Sequence, residues 1–125
     1  GESTFVPVHI ENGIARFSNF SFKILHKDSR HGAASLMLRP ERLRVLGPQE
    51  HLNAEFNEFS GQLVHVVYQG DSSLLEVKLP NDIGVQVRMP SVELQNHPNL
   101  LPGALLRLAV SVQDTVVLSE EGGTS

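Results

Sequence analysis

The sequence predicts an all-β fold. Short runs alternate apolar and polar residues at a period of two, no segment sustains a helical 3.6-residue period, and glycine, proline and asparagine punctuate the chain at regular intervals. A third observation concerns organisation. Gly70-Asp71-Ser72-Ser73, which follows the strand-like run Gly61 to Gln69, is echoed by Gly1-Glu2-Ser3-Thr4 at the start. The echo implies one plan used twice.

In chain order, Val6, Val8 and Ile10 fall on one face of a strand in which Pro7 cannot donate to a ladder, so that strand is expected at an edge, at least locally. Asn12-Gly13 suits a tight primed turn, from which Ile14 to Phe17 returns. Phe20, Phe22 and Ile24 give a third strand. Residues 26 to 32 read as a polar loop, Ala33 to Arg39 as a strand stopped by Pro40, and Arg42 to Leu46 as a short strand.

Gly47 to Ser60 is polar and without clear period, and Leu52, Phe56 and Phe59 suggest one helical turn or a short strand there. Leu63 to Tyr68, apolar on both faces, is expected to be a central strand. Leu75, Val77 and Leu79, the Pro80-Asn81-Asp82 turn, and Val85, Val87 and Met89 complete a three-stranded meander. After an irregular link from Pro90 to Pro102, Leu105 to Val112 and Val116 to Leu118 form the last strands, and residues 119–125 read as a disordered tail.

The two copies align further on. Gly13 falls opposite Gly84 and Gly32 opposite Gly103 at one spacing, and Arg42 to Leu46 corresponds to Asp114 to Leu118 with a one-residue shift. In this register the strand Gly61 to Gln69 has no partner in the first copy, which leaves an edge expected to pair with a second molecule or to be served by that same strand. Arg39-Pro40-Glu41 in one copy faces Ser111-Val112-Gln113 in the other. A charged triplet confined to one copy is a natural place for contacts beyond the fold.

Composition bounds the chemistry. The chain has 125 residues, ten basic against fourteen acidic side chains, and a formal charge of −4. Such a balance does not offer the phosphate-neutralising surface that nucleic acids need, so no nucleic-acid partner is expected, and Tyr68 with the phenylalanines is read as core rather than as a base-stacking platform. With no cysteine, thiolate metal sites and thiol nucleophiles are excluded. No run approaches the ~20 apolar residues of a membrane helix, and no signal-peptide pattern opens the chain. The start at Gly1, without methionine, suggests a processed chain or a piece of a longer one.

The six histidines lack the spacing of a metal-binding helix, so no metal site is expected beyond weak adventitious binding by His26, His31 and Asp28. His65 reads as a satisfied, half-buried strand histidine. Asp71 and Glu76 flank a turn with no nucleophile arranged around them, and Ser72 and Ser73 read as turn residues, so no catalytic residue is nominated.

Short strands, glycine turns and a duplicated five-strand plan fit an OB-like barrel built from two intertwined, internally repeated halves. Leu38-Arg39-Pro40-Glu41 with Leu43, then Gly61-x-Leu63-Val64, Tyr68-x-Gly70 and Pro102-Gly103, resemble the TOBE domain, the C-terminal extension of ATP-binding subunits in bacterial ABC importers of the polyamine, iron and sugar type. The resemblance spans roughly residues 1–118, with halves near 1–46 and 61–118.

It implies a non-catalytic regulatory and dimerisation domain, cytoplasmic and peripheral at the inner face of the membrane. Its partners would be its own ATPase domain, a second copy of the subunit and the membrane subunits. ATP and Mg would belong to the ATPase domain, for no Gly-x-x-x-x-Gly-Lys-[Ser/Thr] loop exists here. Arg39, Pro40, Glu41, Tyr68, Gly70 and Asp71 are the interface or regulatory candidates. The alternative is a free-standing barrel for a small anion of the molybdate type. Relatives of that kind typically carry a Ser-Ala-Arg-Asn-like segment near the start, which residues 1–5 do not match.

Overall fold

The computed structural model describes residues 3–25 and 31–119. The loop holding His26 and Asp28, the Gly1-Glu2 start and the expected tail from residue 120 lie outside them.

Ten strands form two five-stranded antiparallel sheets. The first comprises β1 (Thr4–Glu11), β2 (Ile14–Phe17), β3 (Phe20–Lys23), β4 (Gly32–Leu38) and the last strand, β10 (Val116–Ser119), in the order β10-β4-β1-β2-β3. The second comprises β5 (Leu43–Val45), β6 (Phe56–Gln69), β7 (Ser72–Leu79), β8 (Ile83–Pro90) and β9 (Leu105–Ser111), in the order β5-β9-β6-β7-β8. Replacing β1–β4 by β6–β9 and exchanging β5 with β10 converts one order into the other. Each half thus donates its fifth strand to the other half's sheet, which makes the two OB-like halves intertwined.

Alternation is carried out strand by strand. Val6, Val8 and Ile10 point inward from β1, Leu75, Val77 and Leu79 from β7, and Val85, Val87 and Met89 from β8. They meet in one core shared by both sheets, in which the Phe22 and Phe59 rings lie 5.4 Å apart. β1 is an edge only locally, since β4 pairs with it from Thr4 to Ile10 while β2 reaches only His9 to Glu11.

The register of the duplication differs from the sequence expectation. The counterpart of β6 is β1, and the counterpart of the Gly70 turn is the Asn12-Gly13 turn, where Gly13 and Gly70 share left-handed φ values of 78° and 81°. The first half therefore lacks no strand, and the argument for a partner molecule at an orphaned edge falls. The reason is unequal hairpins: β2 and β3 have four residues each, β7 and β8 eight. The offset between copies drifts along the chain, so Gly13 does not correspond to Gly84, whereas Gly32 and Gly103, with φ 96° and 93°, both lead into the equivalent strands β4 and β9, and β5 still corresponds to β10.

β6 also starts sooner than the alternation suggested, at Phe56, and takes up the last part of the segment without clear period. At Gly61 it passes so close to β7 that a Cβ would sit 2.6 Å from Val77 Cγ1.

Candidate functional site

Arg39, Pro40 and Glu41 lie where β4 ends and a 3-10 turn, Pro40–Arg42, begins. Proline suits this place because its missing N–H would find no partner in the first turn anyway. Arg42 N donates to Arg39 O at 3.0 Å, and Leu43 N donates to Pro40 O. Pro40 is buried while Arg39 and Glu41 are exposed, and the turn packs against β8. Its equivalent in the other half is the turn Val112–Asp114. The two turns touch, with Arg42 Nε 3.9 Å from Asp114 Oδ1.

Tyr68, Gly70 and Asp71 occupy the tip of the β6–β7 hairpin, with Tyr68 72% exposed. Gly70 supplies the positive φ that the turn requires. Ser91, just past β8, ties the tip down: its N–H donates to Asp71 O at 2.7 Å and its hydroxyl to Gly70 O at 2.6 Å, with Ser73 Oγ 2.8 Å away. The two nominated groups therefore flank the C-terminal end of β8 from opposite sides, without sharing a cavity. Between them stands Arg88, which sequence reasoning passed over as an outward strand residue. Its Nη1 donates to Gln69 Oε1 (3.2 Å) and Ser72 Oγ (3.0 Å).

Each sheet ends in a seam, and the two seams are finished differently. At the first, Asn57 of β6 (3% exposed) joins β3 to the Val112–Asp114 turn. Its Oδ1 accepts from Lys23 N at 2.9 Å, and its Nδ2 donates to Lys23 O at 2.9 Å and Thr115 Oγ1 at 3.0 Å. Thr115 in turn donates to Ser111 O at 2.8 Å. Outside this seal lies a cleft of about 460 Å3 lined by Lys23, Glu55, Ser111 and Gln113. The Lys23 ammonium donates to Ala54 O at 2.7 Å, and Ser111 Oγ accepts from Gln113 N at 3.1 Å, so the Ser111 hydroxyl proton remains available.

At the second, β5 and the Pro40–Arg42 turn pack against β8, and a surface cleft of about 460 Å3 lies beside them. Glu41, Arg44, Glu50, Arg88, Glu93, Asn96 and His97 line it, while Val87 and Met89 beneath are buried in the core. Arg44 is committed to Glu50 at 2.7 Å and lies over the Phe56 ring.

Behind β5, Arg107 pins the following loop by donating to the carbonyls of Gly47 (3.1 Å) and Glu50 (2.9 Å) and to both Glu58 oxygens (2.9 and 3.2 Å). Those bonds hold the Glu58 carboxyl below its ordinary pKa against the opposing effect of burial, and raise that of Arg107. This is scaffolding. His65 sits outward with Nε2 3.0 Å from Glu76 Oε1, more exposed than expected. Among the described residues no group of three or more metal-ligating side chains converges, and no helix is long and apolar enough to cross a membrane.

The family model of the TOBE domain matches residues 36–118, well over half of the chain. Among solved structures, the fold is similar to a molybdate-bound crystal form of the cytoplasmic molybdate-binding protein ModG, with a TM-score of 0.72 at 6% sequence identity. That similarity covers 94% of this chain and 95% of that one. A search of curated protein sequences gives no match.

Proposed function

Because the chain belongs to the TOBE domain family, a non-catalytic binding and regulatory fold, we propose that it is a small-ligand-binding barrel whose ligand is an oxyanion of the molybdate type. The observation that carries this reading is the extent of the structural match. A protein described as binding molybdate shares the whole duplicated architecture, over nearly the full length of both chains, with no ATPase domain attached to the matched part.

The Lys23–Ser111–Gln113 cleft has the donors such an anion needs. The ammonium keeps two N–H groups beyond its bond to Ala54, the Ser111 hydroxyl has its proton to give, and the Gln113 amide adds a third donor. Glu55 on the same rim offsets the ammonium charge, which predicts modest affinity. The test is a thermal-shift titration with molybdate, tungstate, sulfate and phosphate. A saturable rise with molybdate that disappears in Lys23→Gln is expected. A flat response to all four anions at millimolar concentration refutes the reading.

The second reading is a regulatory and dimerisation domain of an ABC-importer ATP-binding subunit, cytoplasmic at the membrane face, with ATP and Mg held by the ATPase domain. It is favoured by Arg39 and Glu41, which stand exposed on either side of buried Pro40 without an ion pair among the described residues. Reversing both charges would then weaken association with the ATPase domain or a second copy in pull-down while leaving the melting temperature in place. Unchanged association sinks it.

A further inference from the structure

The long hairpins of the second half leave it with a feature that the first half lacks. β6 pairs with β9 only over residues 56–62, and that contact ends at Leu63, which bonds through its backbone to Gly103 and Ala104 at 2.8 Å. On its other side β6 is followed by β7 as far as Gln69. Residues 64–69 therefore run past β9 with one backbone edge unpaired among the described residues. β1 has no such projection, since β4 accompanies it from Thr4 to Ile10.

The ladder fixes which groups face outward. The Gly70-Asp71 turn closes on the Gln69–Ser72 pair, which exchanges bonds between β6 and β7. Alternation then turns the N–H and C=O of Tyr68 and Val66 away from β7. Leu63, before the bulge at Val64, faces the same way. Residues 64–69 contain no Asp, Glu, Lys, Arg or Pro, and Val64 and Tyr68 are exposed. The other sheet edges are short or interrupted: β3, β5 and β10 have three or four residues, β8 carries Arg88 and Pro90, and β1 beyond β2 holds Pro7. An uncharged, β-branched edge of this length is a template for one more strand.

The strand that fits it is the same one from another molecule. We propose that two copies of the chain pair antiparallel through residues 64–69, about a two-fold axis at Val67, and so join their β6-β7-β8 ribbons into one sheet. Val66 then exchanges both backbone bonds with the partner's Tyr68, and Tyr68 with the partner's Val66. On one face each Tyr68 ring lies beside the partner's Val66. On the other, Val67 meets its own copy, and His65, held by Glu76 of its own chain, stands opposite the partner's Gln69. No like charges oppose each other along the seam, which a chain of formal charge −4 needs in order to self-associate. The contact is small, so the dimer is weak, with a Kd of about micromolar or above. It requires neither the Lys23 cleft nor the Arg39 and Glu41 turn.

The experiment is sedimentation velocity of the intact chain from roughly 5 μM to 1 mM, a range that spans such a Kd. A dimer fraction that grows with concentration is expected. Val67→Lys and Val67→Glu each set like charges on the axis and should weaken the dimer about tenfold or more, and mixing the two variants should restore it. Val67→Cys guards against a charged variant that folds poorly. In a chain without other cysteine it should oxidise to a disulfide dimer, because facing residues of a non-hydrogen-bonded antiparallel pair have Cα atoms about 4.5 Å apart. Leu105→Cys, exposed on β9, should not. A monomer at every concentration overturns the proposal. So does a dimer that both charged variants leave intact, or one that their mixture fails to restore. A dimer indifferent to Val67 but lost on reversing Arg39 and Glu41 belongs to the Pro40 turn and overturns it as well.

Discussion

Replacing Asn57 by alanine is the most direct test of how the first seam is held. The side chain makes three hydrogen bonds from a position 3% exposed. Truncation leaves Thr115 its bond to Ser111 O but strands the N–H and C=O of Lys23. Each stranded group costs about 1–3 kcal/mol, and water entering the vacated space recovers part of that, so we expect a net loss of about 2–4 kcal/mol. For a domain of this size that lowers the melting temperature by roughly 10 °C. In urea the midpoint should fall by about 1–2 M at constant slope.

Thr115→Val removes the hydroxyl with little change of volume and supplies the second arm of a double-mutant cycle. Because the two side chains share a bond, the double variant should fall short of the sum by about 0.5 kcal/mol or more. A loss under about 1 kcal/mol for Asn57→Ala, or strict additivity with Thr115→Val, would show that apolar packing closes the seam without the network.

Other expectations follow from single contacts. Gly61→Ala places its methyl against Val77 Cγ1 and 3.0 Å from the Lys78 carbonyl oxygen, so it should destabilise by about 1–3 kcal/mol in chemical denaturation. Gly70→Ala has open space and meets only the cost of positive φ, about 1 kcal/mol, so it should be the milder of the two. Equal losses would contradict the close approach of β6 to β7. The Glu58 carboxyl is held below its ordinary pKa when folded, so its contribution is present at neutral pH and is lost as pH falls through the folded value, in the acid range below 4.5. The Glu58 side chain is 45% exposed, so the effect should be small and shrink with salt. Glu58→Gln should flatten that part of the stability profile, and an unchanged profile would refute the assignment.

Much of the fold was legible because burial in a sheet imposes a period of two. Val6-x-Val8-x-Ile10 and Val85-x-Val87-x-Met89 announce their inner faces without reference to anything distant. The register of the duplication was not legible. Gly1-Glu2-Ser3 and Gly70-Asp71-Ser72 resemble each other as turn chemistry, whereas the turn structurally equivalent to Gly70 is built on Asn12-Gly13, and a fixed offset cannot follow hairpins of different length.

The early start of β6 was hidden by Asn57 and Glu58, polar residues that a pattern reading assigns to a loop. Asn57 is polar because it has backbone groups of β3 to satisfy. Arg39, Glu41, Gly70 and Asp71 were found at exposed turns, as local sequence suggests, whereas Pro40 is buried and Tyr68, expected in the core, is 72% exposed on β6. Their neighbour Arg88 was missed, because only the return of β8 alongside β7 sets it beside Gln69 and Ser72, and only the β5–β8 seam brings it to the cleft that Glu41 lines.

The exchange of β5 and β10 between sheets also has a consequence in time. A chain emerging from the ribosome releases β5 before any strand of the sheet it joins, and that strand must wait for β9 to find its neighbour. The first sheet, although four of its strands precede β5, leaves β4 with one unpaired edge until Val116–Ser119 appears. Pairings this distant in sequence slow folding, because the loop entropy is lost before the contact is gained. A nascent chain halted at Ser111 would therefore still carry an open β4.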